Sequence, residues 1–114
     1  MDAFTALAEP TRRNILEMLA ANGQMPATAI YKRFKATPPA ISQHLKVLKE
    51  ARLVGVHKKA QQRIYYVNPE PMKELEKWIR QFSTRVEKQY SKLDVLLEKE
   101  KTKIAEQPEL FDQL

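Results

Sequence analysis

Between Met72 and Lys103 the chain places large apolar residues at Met72, Leu75, Ile79, Phe82, Val86, Tyr90, Leu93 and Leu97, separated by 3, 4, 3, 4, 4, 3 and 4 positions. That spacing holds one stripe in line along an α-helix, and Trp78 and Leu96 widen it. Such a helix is roughly 48 Å long at 1.5 Å per residue, whereas a domain of this size has a radius of gyration of about 13 Å. Half of it cannot be covered by its own chain. A solvated single helix is ruled out by the large apolar residues that continue to Leu97. The stripe needs a partner, and the simplest is a second copy in a two-fold dimer, joined through Leu75, Ile79, Phe82, Val86, Tyr90, Leu93 and Leu97.

At 114 residues the rest of the chain has room for one small domain, expected over residues 1–71, ahead of the dimerisation helix at 72–103. Residues 104–114 hold a proline and three acids. They are expected to be a loose acidic tail, with docking through Leu110 and Phe111 as the alternative. Apolar content of 43% suffices for a core. Without a bilayer-length apolar run or a leader pattern, the chain is expected to be cytoplasmic and to bind no membrane. Zero cysteines exclude disulfides, thiolate metal sites and cysteine nucleophiles.

Met1 to Leu7 reads as a weak first helix. Pro10 opens a second, which runs through Ile15, Leu16 and Leu19 to Asn22-Gly23. Arg12 and Arg13 fall in its first turn, where the macrodipole disfavours cations, so an anion is expected beside them: Glu9, Glu17 or a phosphate. Met25-Pro26 reopens a helix over about Ala27 to Phe34, and Lys35-Ala36 is a short connection to the next. In that next stretch, Thr37 to Ala51, Thr37 is a good N-cap and Pro38 sits where a missing N–H costs nothing. On a helical wheel Ala40, Ile41, His44, Leu45, Val47, Leu48 and Ala51 share one side, and Pro39, Ser42, Gln43 and Lys46 share the other. Two helices with so short a connection, the second capped and polar on one face, make a helix-turn-helix, although the usual turn glycine is missing. The polar side suits a helix pushed into a DNA major groove, with plain solvation as the bland alternative.

Leu53 to Lys58 and Arg63 to Val67 are rich in β-branched residues and flank the polar Lys59-Ala-Gln-Gln62, which reads as a β-hairpin over about 54–67. A hairpin directly after a helix-turn-helix is a wing, and its basic tip can straddle a phosphate backbone. Charge then decides between a solvated face and a DNA-facing one. Residues 31–67 carry nine basic groups against Glu50 alone, or +8, within a chain of net +6. Clustered basic charge marks a polyanion partner, and no apolar face accompanies it for lipid. The fold expected is therefore mainly α with a small β-hairpin, a winged helix-turn-helix followed by a long helix.

In Leu7-Ala-Glu-Pro-Thr-Arg-Arg-Asn-Ile-Leu16, Pro39-Ala-Ile-Ser-Gln-His-Leu-Lys-Val-Leu48, Ala51-Arg-Leu-Val54 and Tyr65-Tyr-Val-Asn-Pro69, in this order, the chain resembles the ArsR-type winged-helix transcriptional regulators over about residues 3 to 97. The resemblance implies a homodimer built from the first and last helices, which adds Phe4 and Leu7 to the interface, with 37–51 as recognition helix. It is similar to a branch with a Trp-containing helix followed by Leu-Asp-x-Leu, here Trp78 and Leu93-Asp-Val-Leu96, whose members repress nearby genes, often their own. Many relatives sense metals through cysteine pairs or through His and Asp clusters in the last helix. Residues 69–114 hold no histidine and the chain no cysteine, so a metal site of that kind is not expected and the release signal is expected to be non-metal.

The expected activity is sequence-specific binding of double-stranded DNA at a palindromic operator, as a repressor. Bases would be read by Ser42 and Gln43, with Thr37 and Pro39, and phosphates held by Arg12 or Arg13, Lys35, Lys46, Lys58, Lys59 and Arg63. His44 lies inside the apolar arc and reads as a packed histidine satisfied by a backbone group, ahead of a base-reading one. His57, on the first wing strand, is either exposed or near phosphate. The competing class is a winged-helix protein-interaction module without salt-dependent DNA affinity, against which the +8 segment argues. An enzyme is not expected: there is no Gly-rich phosphate loop, no cofactor motif and no nucleophile–base pair. Ser42 and His44 point about 160° apart on the wheel.

Overall fold

The computed structural model describes residues 1–106. The elements run α1 (Ala3–Leu7), α2 (Pro10–Asn22), β1 (Met25–Pro26), α3 (Ala27–Lys32), α4 (Pro38–Glu50), β2 (Val54–Lys59), β3 (Gln62–Val67) and α5 (Pro69–Glu106). They form two compact units, Met1–Glu76 and the chain from Lys77 onward.

In the first unit, Ile15, Leu19, Ile30, Ile41, Leu45, Leu48 and Leu53 are almost wholly buried and form the centre of the core. Each such side chain stabilises the fold by about 1.5–3 kcal/mol relative to exposure. Three of the seven belong to α4, so the helix with the polar outer face is also the one most deeply anchored. Its start is set by Thr37, extended at φ −68° and ψ 153°, whose Oγ1 accepts from the Ala40 amide at 3.4 Å. The proline at 38 disfavours a helical Thr37 and so fixes the boundary.

The end of α4 is built as firmly. Arg52 takes a left-handed conformation (φ 63°). Its amide donates to the Lys49 carbonyl and that of Leu53 to the Leu48 carbonyl, both at 3.0 Å. This is a Schellman closure, in which Leu48 and the residue just past the turn, Leu53, are both buried. An arginine occupies the place glycine favours, and Asn68 Nδ2 holds its carbonyl at 2.9 Å. Asn68 also donates its backbone amide to the Leu53 carbonyl and accepts from the Glu70 amide at Oδ1, so one residue joins the end of α4, the base of the hairpin and the start of α5.

The sheet is antiparallel in the order β1-β3-β2. The hairpin pairs Val54 with Val67 through Lys59 with Gln62, around a two-residue turn in which Ala60 has φ 58°. A third strand joins it: Met25 pairs with Tyr65 and Pro26 with Ile64. Met25-Pro26 therefore forms an edge strand, where a proline's missing donor is tolerated, and Pro26 is also the N-cap of α3, which starts at Ala27 as expected. Gly55 lies opposite Tyr66. A Cβ at Gly55 would overlap the Tyr66 ring, which covers the strand there.

Three other boundaries differ from expectation. α3 ends at Lys32 rather than Phe34, because its last turn tightens into the bonds Arg33 N to Ile30 O and Phe34 N to Tyr31 O. The turn before α4 thus has five residues, 33–37. The last helix extends beyond 72–103 at both ends, to Pro69 and Glu106. Leu75, expected at a dimer interface, is instead 7% exposed within the core of the first unit. Of the acidic tail, residues 104–106 continue α5, and residues 107–114 lie outside the described residues.

In the second unit α5 exposes Trp78, Ile79, Phe82, Tyr90, Leu93, Leu96 and Leu97, each by 47% or more, with Val86 half-buried among them. Trp78 and Phe82 stack with centroids 5.2 Å apart and planes within 8°. No described helix is long and apolar enough to cross a membrane.

Candidate nucleic-acid interface

The two faces of α4 separate as the wheel requires. Ile41, Leu45, Leu48 and Ala51 are buried, Ala40, His44 and Val47 half-buried, and Pro39, Ser42, Gln43 and Lys46 exposed. Thr37 is exposed too, so from its N-cap the helix presents two hydroxyls, an amide and then a cation, from Thr37, Ser42, Gln43 and Lys46. Lys35 is exposed in the preceding turn.

Beside this face, α4 and the hairpin enclose a cleft of ≈ 360 Å³ lined by Ser42, Lys46, Lys49, Val56, His57, Lys58, Arg63 and Tyr65. The strand period explains its lining. Val56 pairs with Tyr65 and Lys58 with Arg63, and these four share one face of the hairpin. That face is apolar at its base, where Tyr65 is buried, and cationic toward its tip. Lys46 and Lys49, one helical turn apart on α4, complete a four-cation rim. Lys59, at the turn, lies outside the lining residues.

The pairing of Lys58 with Arg63 is electrostatically unfavourable by itself, since like charges directly opposite on a hairpin destabilise it. An anion between them removes that penalty. Lys49 is the cation of the rim absent from the sequence expectation. The signal was available: it lies three residues beyond Lys46, on the same helical flank.

Arg12 and Arg13 both donate to the end of α1. Arg12 Nε donates to the Ala6 carbonyl at 2.6 Å and Nη2 to that of Thr5 at 3.3 Å. Arg13 Nη1 donates to the Leu7 carbonyl at 2.7 Å and to that of Ala8 at 3.3 Å. Their partner is the C-terminus of α1, where the Thr5 carbonyl also accepts from the Ala8 amide at 3.1 Å. Cations disfavoured at the start of α2 are favoured at the end of α1. Glu9 is the N-cap of α2, its Oε2 accepting from the Arg12 amide at 3.0 Å. Loss of water around the Glu9 carboxylate acts to raise its pKa, but the Arg12 amide, the nearby His44 and Thr11 outweigh this and hold it below its usual 4.5. Asp2, the cap of α1, is held below 3.8 chiefly by its bonds from Thr5.

Of the two histidines, His44 differs from expectation. His44 meets side chains rather than a backbone group: Nδ1 lies 3.4 Å from Arg12 Nη1 and 3.8 Å from Glu9 Oε2. His57 is exposed, with Nε2 2.9 Å from Gln24 Oε1 and its ring tilted against Tyr66 at 5.9 Å. Among the described residues no group of three or more His, Cys, Asp and Glu side chains is placed to hold a metal. Of the expected dimer residues outside α5, Phe4 is half exposed and Leu7 half-buried.

A helix-turn-helix domain family matches residues 7–57, from the end of α1 into β2. The chain is 36% identical over 81 residues to the transcriptional repressor SdpR of Bacillus subtilis, covering 71% of this chain and 89% of that protein. It is 38% identical over 91 residues to the HTH-type transcriptional regulator Rv2034 of Mycobacterium tuberculosis, covering 80% and 84%. Among solved structures, the ArsR family transcriptional regulator RHA00566 superposes with a TM-score of 0.68 at 28% identity, covering 74% of this chain and 86% of its own.

Proposed function

The chain belongs to the ArsR-type winged helix-turn-helix transcriptional regulators, a DNA-binding family, and from that premise we propose that it is a homodimeric repressor of a palindromic operator, released by a non-metal signal. The observation that carries this reading is the convergence of the polar face of α4 with a four-cation cleft between that helix and the wing. α4 enters the major groove. Gln43 bridges adenine N6 and N7 or an equivalent pair of base atoms, and Ser42, with Thr37 and Pro39, contacts neighbouring positions. Arg13, Lys35, Lys46, Lys49, Lys58, Lys59 and Arg63 hold phosphates on either side, which positions the helix without reading sequence. Arg12 leaves that set because its side-chain nitrogens serve α1 and His44, whereas the exposed Arg13 engages only Nη1 of its side chain among the described residues and stays in it.

Dimerisation is proposed through Ile79, Phe82, Val86, Tyr90, Leu93 and Leu97, with Phe4 and Leu7 contributing from α1. The support is the run of large apolar side chains left uncovered in the second unit. Two recognition helices in successive major grooves require half-sites about 34–36 Å apart. The repressor role rests on the likeness to SdpR. The non-metal signal rests on a chain without cysteine whose two histidines have partners in Arg12, Glu9 and Gln24. Acting on chromosomal DNA places the protein in the cytoplasm.

Selection from a random duplex library, followed by footprinting and transcription from the region upstream of its own coding sequence, tests the proposal. The expected result is an inverted repeat with one-turn half-site spacing and less transcript when protein is added. Recovery of no preferred sequence, with affinity insensitive to salt, would favour the protein-interaction module instead.

A further inference from the structure

Three elements of the first unit meet on one guanidinium. Arg12, half-buried at the start of α2, spends Nε and Nη2 on the last carbonyls of α1. Its backbone amide is capped by Glu9 at 3.0 Å. Its remaining terminal nitrogen, Nη1, faces His44 Nδ1 on α4 at 3.4 Å. Arginine has no acceptor, so in this bond Nδ1 carries the lone pair and Nε2 the proton. Glu9 Oε2 lies 3.8 Å from the same Nδ1, beyond hydrogen-bond distance. The contacts that otherwise hold α4 against this part of the domain are apolar: Ile41, Leu45 and Leu48.

Apolar packing fixes depth well but direction poorly, because it has no angular preference. His44 is the neighbour of Gln43. With a helix radius of about 5–6 Å at the side chains, a rotation of about 15° about the axis of α4 moves the end of Gln43 by about 1.5 Å. A bidentate base contact tolerates about 0.5 Å. A directional bond on the inner face of α4 therefore lies where it controls the aim of the base-reading residues, and its donor is clamped to α1.

We propose that Arg12 is a positioning residue for sequence recognition: through His44 it sets the rotation of α4, and through the carbonyls of Thr5 and Ala6 it ties that rotation to the placement of α1. It touches no DNA. A displacement of α1 would then be felt at the bases without any change in the phosphate-binding cations. The inference rests on the reading of α4 as the base-reading helix.

The test compares full-length wild type with Arg12→Gln, Arg12→Lys, His44→Leu, His44→Asn and the Arg12→Gln/His44→Leu pair. Affinity is measured for a library-selected duplex and for an unrelated duplex of equal length, each across a salt series, beside the thermal midpoint. Arg12→Gln and His44→Leu should each weaken the selected duplex about tenfold and leave the unrelated one and both salt slopes unchanged. The double variant should be no weaker than the worse single one. His44→Asn, whose Oδ1 can take the acceptor place of Nδ1, should recover most of the loss. If Arg12→Gln does not fold, Arg12→Lys combined with the two His44 variants gives the same comparison. Equal weakening of both duplexes with a shallower slope would make Arg12 a phosphate contact and overturn the proposal. So would additive losses in the double variant, or a lower thermal midpoint with affinity for the selected duplex intact. A wild type that prefers no duplex at all would instead remove the reading of α4 itself.

Discussion

Lys58→Ala isolates the electrostatic part of the interface. Four of the phosphate-facing cations, Lys46, Lys49, Lys58 and Arg63, line the cleft of one protomer, so a two-fold dimer brings eight from its two clefts, beside those outside them. At about −0.9 per neutralised phosphate, the clefts alone should contribute about −7 to the log–log slope of affinity against salt, a loss of at least about 10⁴-fold between 50 and 200 mM. Removing Lys58 from each protomer should make the slope shallower by about 1.8 and weaken cognate and unrelated duplexes by the same factor. Its effect on folding has the opposite sign. Lys58 is exposed and faces Arg63 across the hairpin, so its loss relieves a like-charge pair and should leave the thermal midpoint equal or slightly higher. Fluorescence anisotropy with a labelled duplex at five salt concentrations, beside a thermal melt, measures both. An unchanged slope would refute the placement of the wing on phosphate, and a loss confined to the cognate duplex would make Lys58 a base contact.

Leu48→Ala empties a wholly buried site at the closure of α4 and should cost about 3 kcal/mol, read as a lower urea midpoint. Leu93→Glu would bury an unpaired carboxylate in each half of the proposed dimer seam. It should raise the dimer dissociation constant more than about a hundredfold in sedimentation, with the emission of the single Trp78 shifting as dimers part. The caps Asp2 and Glu9 have carboxyls held below 3.8 and 4.5, so the unfolded chain binds more protons than the folded one as pH falls through those values. Their contribution is fully present above about pH 4.5 and is lost below it; urea midpoints should fall in that range and fall less for Glu9→Gln.

Much of this was legible in the sequence because periodicity and capping are local. The alternation of Ile41, Leu45 and Leu48 with Ser42, Gln43 and Lys46 gives the inner and outer faces of α4 directly, and Thr37-Pro38 gives its start. What escaped depends on contacts between elements. Arg12 and Arg13 look misplaced at the head of α2 until the C-terminus of a five-residue α1 is set beside them. β1 is two residues long and exists only because β3 lies beside it. Leu75 carries the same period as Ile79 and Phe82, and only the position of the core distinguishes a residue buried within the chain from those left exposed. His44 reads as a packed histidine in either case; that its partners are side chains from α2 and its cap cannot be seen from a wheel of α4 alone.

The proposed function turns on base reading by the outer face of α4. Its most direct measurement is the base-preference profile of Gln43→Ala against wild type, obtained by sequencing the bound fraction of one random duplex library. Gln43 is exposed and makes no side-chain bond among the described residues, so preference should be lost at one position of each half-site, worth about 1–3 kcal/mol, with the remaining positions and the salt slope unchanged. An identical profile for the two proteins, or a uniform loss at every position, would contradict it.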